Sequence, residues 1–261
     1  MRRLTPAEML LQELGITEPC EIDLEAIACH CGAAVRYRSL DGCEAHIVGY
    51  GDRAVITVRG NANPRRRRFS LGHELGHWRY HRGRVLVCRP DDIGNEARET
   101  GDPEFVADGY AADLLLPRYL FEPLTRQFSK VSLDAVEELA DAFDASLTAT
   151  AIRLVEFGPA PAMLVCHNRQ GRRWFRRGRD VPARWFPRDN LDADSFAFDV
   201  LFGESRKSRL AVVGADAWFD RSDAECFEIW EQSIRITPEE IITLLVFRDE
   251  RMLEDVRSWR S

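Results

Sequence analysis

Hydrophobic and polar positions change period several times along the chain, and each change predicts an element. TPAE at residues 5–8 has the order of a capping box with Pro6 in the first turn, so a helix runs from there to about Gly15. Asp23 heads a second short helix, DLEAIACHC, which Gly32 ends. AAVRYRS, EAHIVGY and RAVITVR carry β-branched residues in partial alternation and predict three strands, with Gly51-Asp52 as a two-residue turn between the last two. After the loop GNANP at 60–64 comes a helix that contains SLGHELGHWRYH, residues 70–81.

Residues 83–103 are broken by Gly and Pro and predict an irregular loop, and from Glu104 the run EFVADGYAADLLLP is helical until Pro117. The segment 131–158 reads as helix, tight turn, helix, with Val136, Leu139, Ala140 and Phe143 facing Leu147, Ile152 and Leu154. GPAPA at 158–162 disfavours continued helix and marks the domain boundary. Beyond it AMLVCHN, RRWFRRG, SFAFDVLFG and RLAVVGADAWF are strand-like. TPEE at 237 is a second capping box, expected to open a closing helix on which Ile241, Leu245, Met252, Val256 and Trp259 keep helical spacing. The expected fold class is α+β.

With 261 residues the chain has room for one large domain or two modest ones, and 45% hydrophobic residues is the content of a globular protein. The net charge of -7 argues against a protein that lives on phosphate backbones. No apolar run reaches the roughly 20 residues of a membrane span, and the start lacks the apolar stretch of a signal peptide. The 7 cysteines are odd in number and scattered, which fits reduced thiols in the cytoplasm better than a disulfide framework. Each of them reads as a small buried hydrophobe, including the pair Cys29 and Cys31.

The chemistry concentrates in HELGH. His73 and His77 are four residues apart, so in a helix both imidazoles stand on one face about 6 Å apart along the axis and can hold one ion. Glu74 falls on the flank of that face, where its carboxylate can activate a water instead of competing for the metal. A catalytic zinc needs a third protein ligand and an open position. His81 lies about 12 Å along the axis from His73, too far to share the ion. Glu96, Glu99, Asp102, Glu104 and Asp108 are the later acids within reach. Glu104 fits best because it starts the next patterned helix and has Asp108 one turn on, placed to hold a ligand histidine by a hydrogen bond. The set is gluzincin-like, and Zn2+ is the expected ion, although the same donors accept Mn2+ or Fe2+. Tyr80, His81, Arg82 and Tyr110 are candidates for stabilising an oxyanion.

RFSLGHELGHWRYH followed by ExxADGYAADLLLP resembles the ImmA/IrrE family of zinc endopeptidases. Arg68, Phe69, Ser70, His73, Glu74 and His77 match the family's first block. Glu104, Ala107, Ala111, Ala112, Leu114, Leu115 and Pro117 match its second. Asp108 stands where Asn is usual, Tyr110 for Phe and Leu116 for Met. The likeness covers about residues 20–158 and is weak beyond. It implies an enzyme that cuts a helix-turn-helix repressor, often encoded nearby, in stress responses or mobile-element control. It also implies that some relatives carry a sensor-like C-terminal domain.

The expected organisation is therefore a zincin-like metallopeptidase domain at 1–126, a helix-turn-helix-like segment at 127–158 and a C-terminal α+β domain at 159–261 with a sensory or regulatory role. The four arginines at 65–68 read as solvated outer residues with Arg68 structural, and the second helix of 131–158 offers only Arg153 as a base, so direct nucleic-acid binding is not expected. The hairpin of EAHIVGY and RAVITVR is expected to offer a sheet edge to an extended substrate. The rival reading is a regulator that binds without cutting and whose metal is structural, its fourth ligand position filled.

Overall fold

The computed structural model describes residues 3–81, 86–88 and 102–254. The chain forms two compact units, Met1–Phe121 with Ala140–Ser146, and Glu122–Leu139 with Leu147–Ser261. Helices and strands are mixed in the α+β manner, and the later part of the chain is the richer in sheet.

In the first unit, α1 (Pro6–Glu13) starts at a reciprocal capping box: the Thr5 amide donates to Glu8 Oε2 at 3.0 Å and the Glu8 amide to Thr5 Oγ1 at 3.3 Å. Asp23 caps α2 (Leu24–His30) through the amides of Glu25 and Ala26. Strands β1 (Ala33–Arg38), β2 (Ala45–Tyr50), β3 (Arg53–Arg59) and β4 (Leu86–Cys88) form a sheet in the order β1-β3-β2-β4. Gly51, at φ +61, makes the β2–β3 turn as its sequence predicts. The expected sheet edge is narrowed, since β1 arrives parallel on the far side of β3 and β4 pairs with β2 at Ala45–Ile47, which leaves the Val48–Tyr50 end of the hairpin as an edge among the described residues.

One long helix, α3 (Pro64–Tyr80), lies across β2 and β3 and packs closely on α4 (Pro103–Leu115). Glycines make that approach feasible: a Cβ at Gly76 would stand 2.8 Å from Ala107 Cα, and one at Gly72 would stand 3.3 Å from Ala111 Cβ. The four arginines that open α3 are engaged within the unit, not merely solvated. Arg65 pairs with Asp141 and Asp144, Arg68 with Asp144, Arg66 with Glu44, and Arg67 donates to the Gly60 carbonyl. Asp144, at φ +47, is the turn residue after α6 (Leu133–Ala142), a conformation that Asp tolerates better than most residues.

A helix that the sequence reading did not foresee, α5 (Arg118–Thr125), follows α4 directly after Pro117. The predicted pair in 131–158 is present as α6 and α7 (Leu147–Phe157). In the second unit Arg153 is buried beside Glu156, its guanidinium over Phe157, so the one base of α7 is turned inward.

The second unit carries an antiparallel sheet of β5 (Ala162–Asn168), β6 (Gly171–Arg177), β7 (Ala211–Gly214), β8 (Glu228–Arg235) and β9 (Glu240–Phe247), in the order β6-β5-β9-β8-β7. SFAFDVLFG, expected as a strand, is the helix α8 (Phe196–Phe202), capped by Ser195 and burying Ala197, Val200 and Leu201 at helical spacing. The expected closing helix from Thr237 is also corrected. Thr237 Oγ1 does accept the amides of Glu239 and Glu240, but it caps a turn, and the run that follows is β9, buried on both faces. Among the described residues the short α9 (Glu250–Leu253) comes after it; Val256 and Trp259 lie outside the described residues, as do Glu96 and Glu99. β8 escaped the pattern reading because Glu231 and Ser233 face inward. Glu231 accepts the Ala197 amide at 2.6 Å and Trp218 Nε1 at 2.9 Å, which offsets the cost of burying a carboxyl.

Candidate metal centre

Three donors from two helices converge at the centre of the first unit. His73 and His77, one turn apart on α3, bring their Nε2 atoms to 3.0 Å from each other. From α4, Glu104 places Oε2 at 3.0 Å from His73 Nε2 and Oε1 at 3.4 Å from His77 Nε2. The donor atoms of all three lie within 4.8 Å of one another, the only such group among the described residues. Both imidazoles are fully buried and the carboxylate is 16% exposed. Lone pairs of two imidazoles and a carboxylate so close together repel unless a cation lies among them. Two nitrogens and one oxygen are a donor set that suits zinc.

The far nitrogen of each imidazole is held as well. Asp108 Oδ1 is 2.7 Å from His73 Nδ1, the contact expected from its offset of one turn from Glu104. His81 Nδ1 is 3.1 Å from His77 Nδ1. With Nδ1 of each ring occupied, Nε2 is the atom turned to the centre. The contact of His81 with His77 is not among the sequence expectations, which exclude His81 as a ligand and keep it as an oxyanion candidate. The signal was present: His77 and His81 repeat the four-residue spacing of His73 and His77.

Burial alone would lower the pKa of His73, but its hydrogen bonds to Asp108 and Glu104, with the charges of Asp108 and Glu74, raise it to about 9. Burial pushes Glu104 upward, yet the hydrogen bonds and charges of His73 and His77 hold its carboxyl well below the ordinary carboxylate range. Glu74 is fully buried on α3 and close enough for its charge to act on His73.

The remaining candidates are placed differently. Tyr110 is buried, its ring edge-on to Tyr80 at 5.9 Å, and it lines a cleft with Leu75, Trp78 and Arg79. Leu75 and Arg79 stand on the side of α3 away from the imidazoles, and Tyr110 shares the cleft on that side. Tyr80 is 44% exposed with its ring against Tyr110, and His81 is committed to His77. Arg82 lies outside the described residues. The cysteines are also partly corrected: those whose side chains are described form no disulfide among the described residues, but only Cys43 and Cys166 are buried, while Cys20, Cys29 and Cys226 are exposed.

A pair of helices that presents a His-His-Glu donor set on an α+β scaffold defines a metallopeptidase-like centre. The family model for the IrrE N-terminal-like domain, Peptidase_M78, matches residues 30–155, a span that contains all the donors. Over that span the chain is similar to the ImmA/IrrE family. A search of curated proteins gives no significant match. Among solved structures, the chain is similar to a Mycobacterium tuberculosis transcriptional regulator, with a TM-score of 0.62 and 15% identity over 92% of this chain and 74% of that one. At this identity the likeness shows a shared fold.

Proposed function

We propose that the chain is a zinc-dependent endopeptidase that cuts a helix-turn-helix transcriptional repressor and so relieves repression. The observation that carries the reading is the convergence of His73 Nε2, His77 Nε2 and a Glu104 oxygen beside the buried Glu74. His73, His77 and Glu104 hold the ion, Mn2+ and Fe2+ being further ions the donors accept. Zinc, when bound, supplies a Lewis acid that polarises the peptide carbonyl and acidifies water. Glu74 takes the proton from the attacking water and passes it to the leaving amine. Asp108 and His81 keep the two imidazoles in the tautomer and orientation that ligation needs.

The repressor as substrate follows from the family resemblance. Contact with nucleic acid has no part in this reading: the arginines of α3 are spent on Asp141, Asp144, Glu44 and Gly60, and Arg153 is buried. Free thiols fit action in the cytoplasm, and no helix among the described residues is long and apolar enough to cross a membrane.

The test is to incubate the zinc-loaded protein with the repressor encoded beside it. The expected result is one discrete cut, slowed about 10²- to 10⁴-fold in Glu74→Gln although that variant keeps its zinc. Cutting at the unaltered rate by Glu74→Gln would remove Glu74 from its role.

A further inference from the structure

We propose that the cleft behind α3 in the first unit binds a small zwitterion with an apolar body, the chemistry of a free α-amino acid with a large side chain. The cleft has a volume of about 470 Å³, within the range of small-molecule sites. It lies among α1, the end of α2, α3 and α4, with the apolar side chains of Leu10, Leu75 and Trp78 in its wall. Neither the donor histidines nor Glu104 line it.

The observation that points to a ligand is the Tyr110 hydroxyl. Tyr110 is only 6% exposed and lines the cleft, and its hydroxyl has no hydrogen-bond partner among the described residues. No protein group among the described residues uses this hydroxyl, so it is left to a molecule in the cleft. Position 110 therefore carries a polar atom that the packing of the unit does not use.

The lining charges give the class. Arg79 from α3 offers a guanidinium, and Glu13 from α1 and Asp52 from the β2–β3 turn offer carboxylates. None of the three is in an ion pair among the described residues. His30 and Cys31 also line the cleft, but these side chains do not converge as a metal site does. Charges of both signs around an apolar floor suit one carboxylate and one ammonium on a single apolar molecule. Its carboxylate pairs with Arg79, its ammonium with Glu13 or Asp52, and its side chain lies on Trp78 and Leu75 within reach of the Tyr110 hydroxyl.

Calorimetric titration of the full chain with L-phenylalanine and L-leucine tests this, with 3-phenylpropionate and phenethylamine as probes that each lack one charge. One amino acid per chain is expected to bind, at least about tenfold more tightly than either single-charge probe. Tyr110→Phe, which keeps the ring packing, should weaken binding about fivefold, the size of one lost hydrogen bond. Arg79→Met, an exposed change, should abolish it. Absence of saturable binding by both amino acids overturns the proposal, as would equal binding of the single-charge probes. Binding that is unchanged in both variants would place the ligand elsewhere and overturn it as well.

Discussion

Two imidazoles and one carboxylate do little without the groups behind them. Asp108 and His81 each occupy the Nδ1 of one ring, and the ligand nitrogens point inward for that reason. His81→Ala is therefore expected to weaken zinc binding about 10- to 100-fold in a chelator competition, with the thermal midpoint of the apo protein little changed. Unchanged affinity would reduce His81 to a bystander. Helical spacing makes His73 with His77, and Glu104 with Asp108, legible as pairs that each share a face, whereas the meeting of the two faces belongs to the packing of α3 on α4. His81 reads in the sequence as a non-ligand and an oxyanion candidate, and neither reading reaches its contact with His77.

A second histidine sets a pH dependence. His167, in β5, is buried with its ring 5.8 Å from that of Trp218, and burial first, then the charge of Arg172, pull its pKa down to about 4 against an opposing pull from Asp189. The unfolded chain takes up this proton near pH 6.5 and the folded one only near 4. Stability is therefore fully present above about pH 6.5 and is lost as pH falls toward 4, by an amount on the order of 3 kcal/mol. Denaturant unfolding followed by Trp fluorescence, with Trp174, Trp185 and Trp218 in that unit, should show this slope in the native chain and a flatter one in His167→Gln. Identical slopes would contradict the assignment.

At the scale of elements, the centre depends on how closely α3 and α4 approach. Gly76→Ala should gain up to about 1 kcal/mol of helix propensity. The added Cβ, however, would meet the Ala107 backbone at 2.8 Å, and such overpacking costs about 1–3 kcal/mol. The net expectation is a lower thermal midpoint together with weaker zinc binding, because Glu104 rides on the displaced helix. A midpoint that rises would mean that the helices part freely.

Elements of the first unit were read well where caps and turns are local: Thr5 with Glu8, Asp23 and Gly51 each act within a few residues. The second unit was harder to read for a physical reason. β9 is buried on both faces and so shows no alternation, and Thr237 forms the same side-chain bonds in a turn as it would at a helix start. β8 hides its period because a buried carboxyl and hydroxyl occupy inward positions. Those residues are explained only by partners distant in sequence, Ala197, Trp218 and Thr243.

For the whole molecule, the family match ends at residue 155 and most of the sheet-rich unit lies beyond it. The chemistry proposed therefore belongs to the first unit, and the central claim is that its three donors hold a zinc with one position open to solvent. X-ray absorption at the zinc edge of the loaded full-length protein tests that claim most directly. The account predicts one zinc per chain with two imidazoles and a carboxylate at about 2.0–2.2 Å, one further light-atom ligand, and loss of the site in Glu104→Ala. Sulfur scattering near 2.3 Å, or a closed shell of four protein ligands, would contradict it and favour a structural metal.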